Sequence, residues 1–180
     1  MDRYLTYLES QIDENKIRHS IATAKHAVEL ARIYGQDEQK AYIAGLLHDV
    51  AKGKCRYGLQ KTAEEYCVDI DEFEQDNPEL IHGKLGAKMV EKELGITDED
   101  ILNAICWHTT GRENMSMLEK IVYIADLTEP GREFKNINKL RKLAEKDIDK
   151  AMIMSLKGVM DFVKSKGFTL HPNSKKAYDQ

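Results

Sequence analysis

What most constrains the fold is the spacing of apolar residues and the residues that punctuate them. From 15 to 34, Ile17, Ile21, Ala24, Val28 and Ala31 recur three or four apart, which places them on one helix face, and Gly35 supplies a left-handed stop. Asp37 is placed to cap a second helix that runs through Ala41, Ala44 and Leu47 to Ala51 and ends at Gly53. A poorly patterned stretch follows, with a short helix expected near 61–67 and a turn at Asp76-Asn77-Pro78; residues 84–94 then read as a helix closed by Gly95. Thr97-Asp98-Glu99-Asp100 resembles a capping box with Asp in place of Glu, opening a helix to about His108. Ser116 and Glu119 form a full capping box ahead of 117–127, halted near Pro130-Gly131; helices over 140–145 and 148–166 complete the pattern, the last stopped by Gly167. Nothing alternates with the period of two that a strand requires, and there is no repeat or Gly/Ser/Pro linker. The expectation is one all-α domain over 1–180, with its core at about 15–130 and further helices and a tail over 138–180.

A chain of 180 residues can bury about 70% of its unfolded surface, and 42% hydrophobic with 32% charged residues excludes disorder. Apolar runs such as 43–47 fall far short of the roughly 20 residues a membrane span needs, and Met1-Asp2-Arg3-Tyr4 does not open a signal peptide. A net charge of −4 argues against a nucleic-acid partner, and Lys164, Lys166, Lys175 and Lys176 are too sparse for a DNA footprint. Cys55, Cys67 and Cys106 lack metal or disulfide spacing and are expected to be inert thiols in a reducing, cytoplasmic setting. Met115, Met117, Met152, Met154 and Met160 are expected to be packing residues.

The six histidines differ in their surroundings. His48-Asp49 emerges from the apolar run at 41–47, where an ionised carboxylate must be paired, hydrogen-bonded or metal-bound, and Lys52 lies one helical turn further on. Alone, the pair would be explained by a helix-end hydrogen bond. His19 in the preceding helix, His108 after Ile105-Cys106-Trp107, and Asp126 after 121–125 repeat the pattern, each a polar ligand type where a core residue would otherwise sit. Imidazole nitrogen and carboxylate oxygen suit borderline divalent ions such as iron, manganese, cobalt or zinc, iron being the one expected here, and helical proteins assemble such sites from facing helices. His19, His48, Asp49 and Asp126 would supply four ligands and leave positions open, as catalytic sites do. His82 and His108 would either bind a second ion that shares Asp49 or contact substrate phosphate.

The ordered set His19, His48-Asp49, His82, His108, Asp126 resembles the HD superfamily of metal-dependent phosphohydrolases, helical bundles with the metal between central helices. Arg18-His19-Ser20, Gly45-Leu46-Leu47-His48-Asp49, Ile81-His82-Gly83, Trp107-His108-Thr109-Thr110-Gly111, Met115-Ser116 and Ile124-Ala125-Asp126 to Glu129-Pro130-Gly131-Arg132 are similar to its YqeK-like subgroup, assigned as symmetrical bis(5′-nucleosyl)-tetraphosphatase. The resemblance implies cleavage of dinucleoside tetraphosphate to two nucleoside diphosphates, with Asp49 and Lys52 catalytic. It also implies a nucleotide-contacting stretch at Thr169, Leu170, His171, Pro172, Asn173 and Ser174, and allows for a homodimer. Arg132 could reach phosphate as a fork donor, and Thr109, Thr110 and Gly111 could offer it hydroxyls and N–H groups, though a helix stop also explains Gly111. His171 is read in a non-helical tail held extended by Pro172, and His26 as a structural or surface residue. The alternatives are another HD phosphohydrolase (a nucleoside 5′-monophosphatase or guanosine alarmone hydrolase) and a nucleotide-sensing module without turnover.

Overall fold

The computed structural model describes residues 2–53 and 56–179, so Cys55 lies outside them. All regular structure within these residues is helical: α1 (Asp2–Gln11), α2 (Glu14–Ile33), α3 (Glu38–Leu47), α4 (Arg56–Glu65), α5 (Glu72–Asp76) and α6 (His82–Leu94). The second half adds α7 (Glu99–Trp107), α8 (Met117–Thr128), α9 (Ile137–Ala144), α10 (Ile148–Ser165) and α11 (Pro172–Asp179), and two 3₁₀ turns span Val50–Gly53 and Pro78–Ile81. Among the described residues, no helix is long and apolar enough to cross a membrane.

Helices α2, α3, α7 and α8 form the centre: α2 packs on α3 and α8, α7 on α3 and α8, and α6 on α7. Leu30, Leu46, Leu47, Ile105, Ile121 and Ile124 fill the space between them and are fully buried. Two of the close helix approaches depend on Gly45 and Gly83. A Cβ at Gly45 would meet the Ala24 Cα at 2.9 Å, and one at Gly83 would meet the Cys106 carbonyl oxygen at 2.5 Å. Side chains larger than hydrogen would therefore push α3 off α2 and α6 off α7. A second apolar cluster of Leu59, Ala63, Ile81, Leu85 and Met89 lies under α4 and α6, while α10 covers α8 and α9 and is itself covered by α11.

The expected helices form, with shifted boundaries. Ser116 Oγ accepts from Glu119 N and the Glu119 carboxylate from Ser116 N, the reciprocal box that opens α8. The cap of α7 is Asp98, not Thr97, because the Asp98 carboxylate reaches the N–H groups of Asp100 and Ile101. The helix expected to run to Ala51 stops at Leu47. His48 Nδ1 donates to the Gly45 carbonyl at 2.8 Å, taking the acceptor that would continue the α-helix through Asp49, and the chain tightens into the 3₁₀ turn. Helix α1 was not expected, although Tyr4, Leu8 and Ile12 stand four apart and Leu8 is fully buried. Neither was α5, which Asp71 and Glu74 open with their own capping box. Residues 172–174 are not an extended tail: proline suits the first helical turn, His171 Nδ1 accepts from Asn173 N at 3.1 Å, and α11 starts there.

Candidate metal centre

Three of the histidines are held the same way. His48, His82 and His108 each lie at a helix boundary, and each turns Nδ1 to the carbonyl three residues earlier, that of Gly45, Glu79 and Ile105 respectively. A carbonyl only accepts, so Nδ1 carries a hydrogen and Nε2 faces inward, its lone pair free whenever the ring is neutral. His82 Nε2 and His108 Nε2 are 3.0 Å apart, and Thr109 Oγ1 is 3.0 Å from both. His19, in the middle of α2, has no spare backbone carbonyl. Its Nδ1 lies instead 3.2 Å from Glu129 Oε1, and its Nε2 is 2.9 Å from Asp126 Oδ1.

Asp49 joins the two groups. Its Oδ1 lies 3.4 Å from His48 Nε2, 3.3 Å from His108 Nε2 and 3.6 Å from His82 Nε2, while Oδ2 lies 3.9 Å from His19 Nε2. Lys52 Nζ is 2.9 Å from Asp49 Oδ1. At this centre the candidate ligand atoms thus fall into two clusters, His19/His48/Asp126 and His48/Asp49/His108, each within 4.8 Å; a third, Asp71/Glu74/His171, lies apart from them. His48 is fully buried and Asp49 only 2% exposed, yet His48 Nε2 and Asp49 Oδ1 take no hydrogen bond of good geometry among the described residues. Native folds rarely tolerate such atoms unless something else satisfies them, and this donor set fits a borderline divalent ion.

Charge around the site follows its burial. Burial alone would raise both acids, but His48, itself raised by the two carboxylates, and Lys52 hold the Asp49 carboxyl well below the usual carboxylate range, and His19 and His48 do so for Asp126. His82 is pushed down to about 3, first by burial and then by His108 and Lys52, and His108 is lowered mainly by burial. Both imidazoles are therefore neutral at physiological pH, the form in which imidazole ligates metal.

The structure places the remaining residues at varying distances from this centre. Arg132 Nη2 is 2.5 Å from Asp126 Oδ1 and 3.3 Å from His19 Nε2, so its guanidinium touches ligand atoms directly. Thr110 turns its hydroxyl to the Gly111 carbonyl, and Gly111 N bonds the Trp107 carbonyl at 2.8 Å, the plain helix stop. Of 169–174, Ser174 Oγ donates to the Thr110 carbonyl and His171 packs on Phe73 beside Asp71, whereas Thr169 and Pro172 are exposed. His26 ties α2 to α8 through Thr128 Oγ1 at 3.0 Å. The Cys106 thiol is pushed up to about 12 by burial, which keeps it protonated. In the sequence Glu129 stands out only as part of the Glu129-Pro130-Gly131-Arg132 motif. No local signal shows that its carboxylate faces an imidazole on another helix, because the two are distant in sequence.

A model of the HD domain matches residues 17–131, which contain every ligand atom described above. A protein of Bacillus subtilis (strain 168) named symmetrical bis(5′-nucleosyl)-tetraphosphatase is 37% identical over 97% of this chain and 94% of its own. A protein of the same name from Halalkalibacterium halodurans is 38% identical over 98% of this chain and 94% of its own. A crystal structure from Clostridium acetobutylicum, described as a predicted HD superfamily hydrolase involved in NAD metabolism, superposes with a TM-score of 0.95 at 44% identity, covering 99% of this chain and 94% of that one. The helical bundle, its clustered histidines and aspartates and these similarities agree: this chain belongs to the HD-domain family.

Proposed function

We propose that the protein is a metal-dependent phosphoric anhydride hydrolase that cleaves dinucleoside tetraphosphate symmetrically into two nucleoside diphosphates. The observation that carries this reading is Asp49, whose two oxygens face two imidazole clusters at once. Relatives named for the same activity, similar over nearly the whole chain, supply the substrate class. His19, His48, Asp49 and Asp126 would hold one transition-metal ion, iron first, with manganese, cobalt or zinc as alternatives. His82 and His108 share Asp49 in a second site or meet phosphate. Such an ion supplies Lewis acidity, which acidifies nearby water and draws charge from a phosphoryl oxygen.

The chain's own residues do the rest. Asp49 accepts a proton weakly, being held ionised by its neighbours. Lys52, 2.9 Å from that carboxylate, neutralises charge that builds on the phosphate oxygens. Thr109 offers a hydroxyl between His82 and His108. Arg132, partly exposed at the rim, presents a fork to phosphate. Residues 169–174 form a wall that sets the length of the nucleoside diphosphate half, a role supported by the Ser174–Thr110 hydrogen bond two residues beyond His108.

We also propose that residues 1–180 act as one domain, with a core at about 15–130 and 138–180 closing over it, a reading supported by the packing of α10 on α8. The proposed setting is the cytoplasm, without a nucleic-acid partner, in keeping with the net charge of −4. A homodimer is part of the proposal, supported by Ile153, Phe162 and Phe168, left exposed on and just after α10.

The test is product identification from diadenosine tetraphosphate with metal-loaded protein, alongside elemental analysis. ADP as the sole nucleotide product is expected. AMP with ATP would contradict symmetric cleavage, phosphate release from AMP would indicate a monophosphatase, and binding without metal-dependent turnover would indicate a sensor. Arg132→Ala is expected to raise KM roughly ten- to a hundredfold in metal-loaded protein, the range for a lost charge-assisted hydrogen bond. Because the guanidinium also touches Asp126 and His19, metal content is measured beside it, and an unchanged KM would contradict the phosphate role.

A further inference from the structure

We infer that Glu129 is the positioning residue for His19, and that the turn from Glu129 to Arg132 is built to hold its carboxylate. The inference rests on the metal reading above and deepens it. Backbone carbonyls orient three of the four imidazoles at the centre, whereas His19 sits inside α2, where the helix consumes those acceptors. Glu129 takes the place of the missing carbonyl: its Oε1 is 3.2 Å from His19 Nδ1 across the α2–α8 contact, and the residue is 4% exposed. A carboxylate only accepts and a guanidinium only donates, so Glu129 at Nδ1 and Arg132 Nη2, 3.3 Å from Nε2, place the hydrogen of His19 on Nδ1 and leave the Nε2 lone pair on the side of the site that Asp126 lines.

The turn holds this carboxylate from the other side. Glu129 Oε2 accepts from Gly131 N at 2.5 Å, and a Cβ at residue 131 would stand 3.0 Å from both carboxylate oxygens. A larger residue there would have to push the carboxylate aside by a few tenths of an ångström. Arg141 fixes the backbone beneath, donating to the carbonyls of Thr128 at 2.8 Å, Glu129 at 2.7 Å and Arg132 at 3.1 Å. Both oxygens of Glu129 must therefore act as acceptors, one for His19 and one for Gly131. A glutamine has one acceptor oxygen and an NH₂ group, so it can serve one partner only by setting donor against donor at the other.

The experiment uses zinc-loaded protein, because zinc is diamagnetic, with ¹⁵N-labelled histidine. In the wild type the His19 signal should show Nδ1 carrying a slowly exchanging, hydrogen-bonded hydrogen. In Glu129→Gln that hydrogen should exchange at least about tenfold faster, and the zinc Kd, read by chelator competition, should rise about 10- to 100-fold, the usual cost of losing an outer partner of a metal ligand. A merely structural role would change the melting temperature and leave both readings in place. Zinc affinity and His19 exchange equal to wild type in the folded variant overturn the inference while leaving the metal reading intact. If the variant does not fold, the wild-type spectrum decides, and a His19 whose Nδ1 bears no hydrogen overturns it. A wild type that takes up no zinc or other transition metal overturns the metal reading and this inference together.

Discussion

Asp49→Ala removes hydrolysis, with turnover expected to fall at least about a thousandfold and bound metal to fall to trace. The size follows from the geometry. One carboxylate serves both clusters, within 3.6 Å of three imidazole Nε2 atoms through Oδ1 and 3.9 Å from His19 through Oδ2. Losing transition-state charge stabilisation of about 4 kcal/mol already costs a thousandfold. Asp49→Asn keeps the volume and is the companion variant, separating lost chemistry from a collapsed pocket. Protein that keeps its melting temperature but neither binds metal nor turns over is the expected outcome. Substantial turnover in either variant would remove the proposed centre.

Gly83→Ala is expected to damage the scaffold where it carries the paired histidines. The added Cβ would stand 2.5 Å from the Cys106 carbonyl oxygen and 3.3 Å from that of Ile105, both main-chain atoms that cannot rotate aside. Helices α6 and α7 must then separate, and they carry the histidines whose Nε2 atoms are 3.0 Å apart. Overpacking of this kind costs about 1–3 kcal/mol, which in a chain of this length lowers the melting temperature by several degrees. Gly158→Ala is the counterpart. Nothing lies within 4 Å of its Cβ position on α10, so the same substitution should stabilise by roughly 0.5–1 kcal/mol through helix propensity alone. Thermal melts of the two variants check both signs, and an undiminished melting temperature for Gly83→Ala would show that the α6–α7 spacing is not set there.

Much of the centre was legible because its residues break a local rule. His48-Asp49 follows an apolar helix, and Asp126 ends another, positions where a side chain without a polar partner would have been better suited. The helix starts were legible wherever a side-chain oxygen bonds N–H groups two or three residues on, as at Asp37 and Ser116. The break after Leu47 was not, because it depends on an imidazole competing for a backbone acceptor that sequence spacing does not show. The tail is illegible for a related reason: Pro172 restricts the residue before it, but it also begins a helix, and contacts to Thr110 and Phe73 decide between the two. Glu129 lay deeper still, since its meaning comes from a partner on a helix far away in the chain.

The guanidinium of Arg141 has a bearing on where the protein could be trimmed. It lies on α9, past the end of the matched segment at residue 131, yet its hydrogens serve carbonyls of Thr128 and Glu129 inside that segment. A fragment ending at 131 would keep every proposed metal ligand and lose the clasp on the turn at Glu129, the residue that faces His19. The family signature therefore stops short of a side chain that holds its own last turn in place.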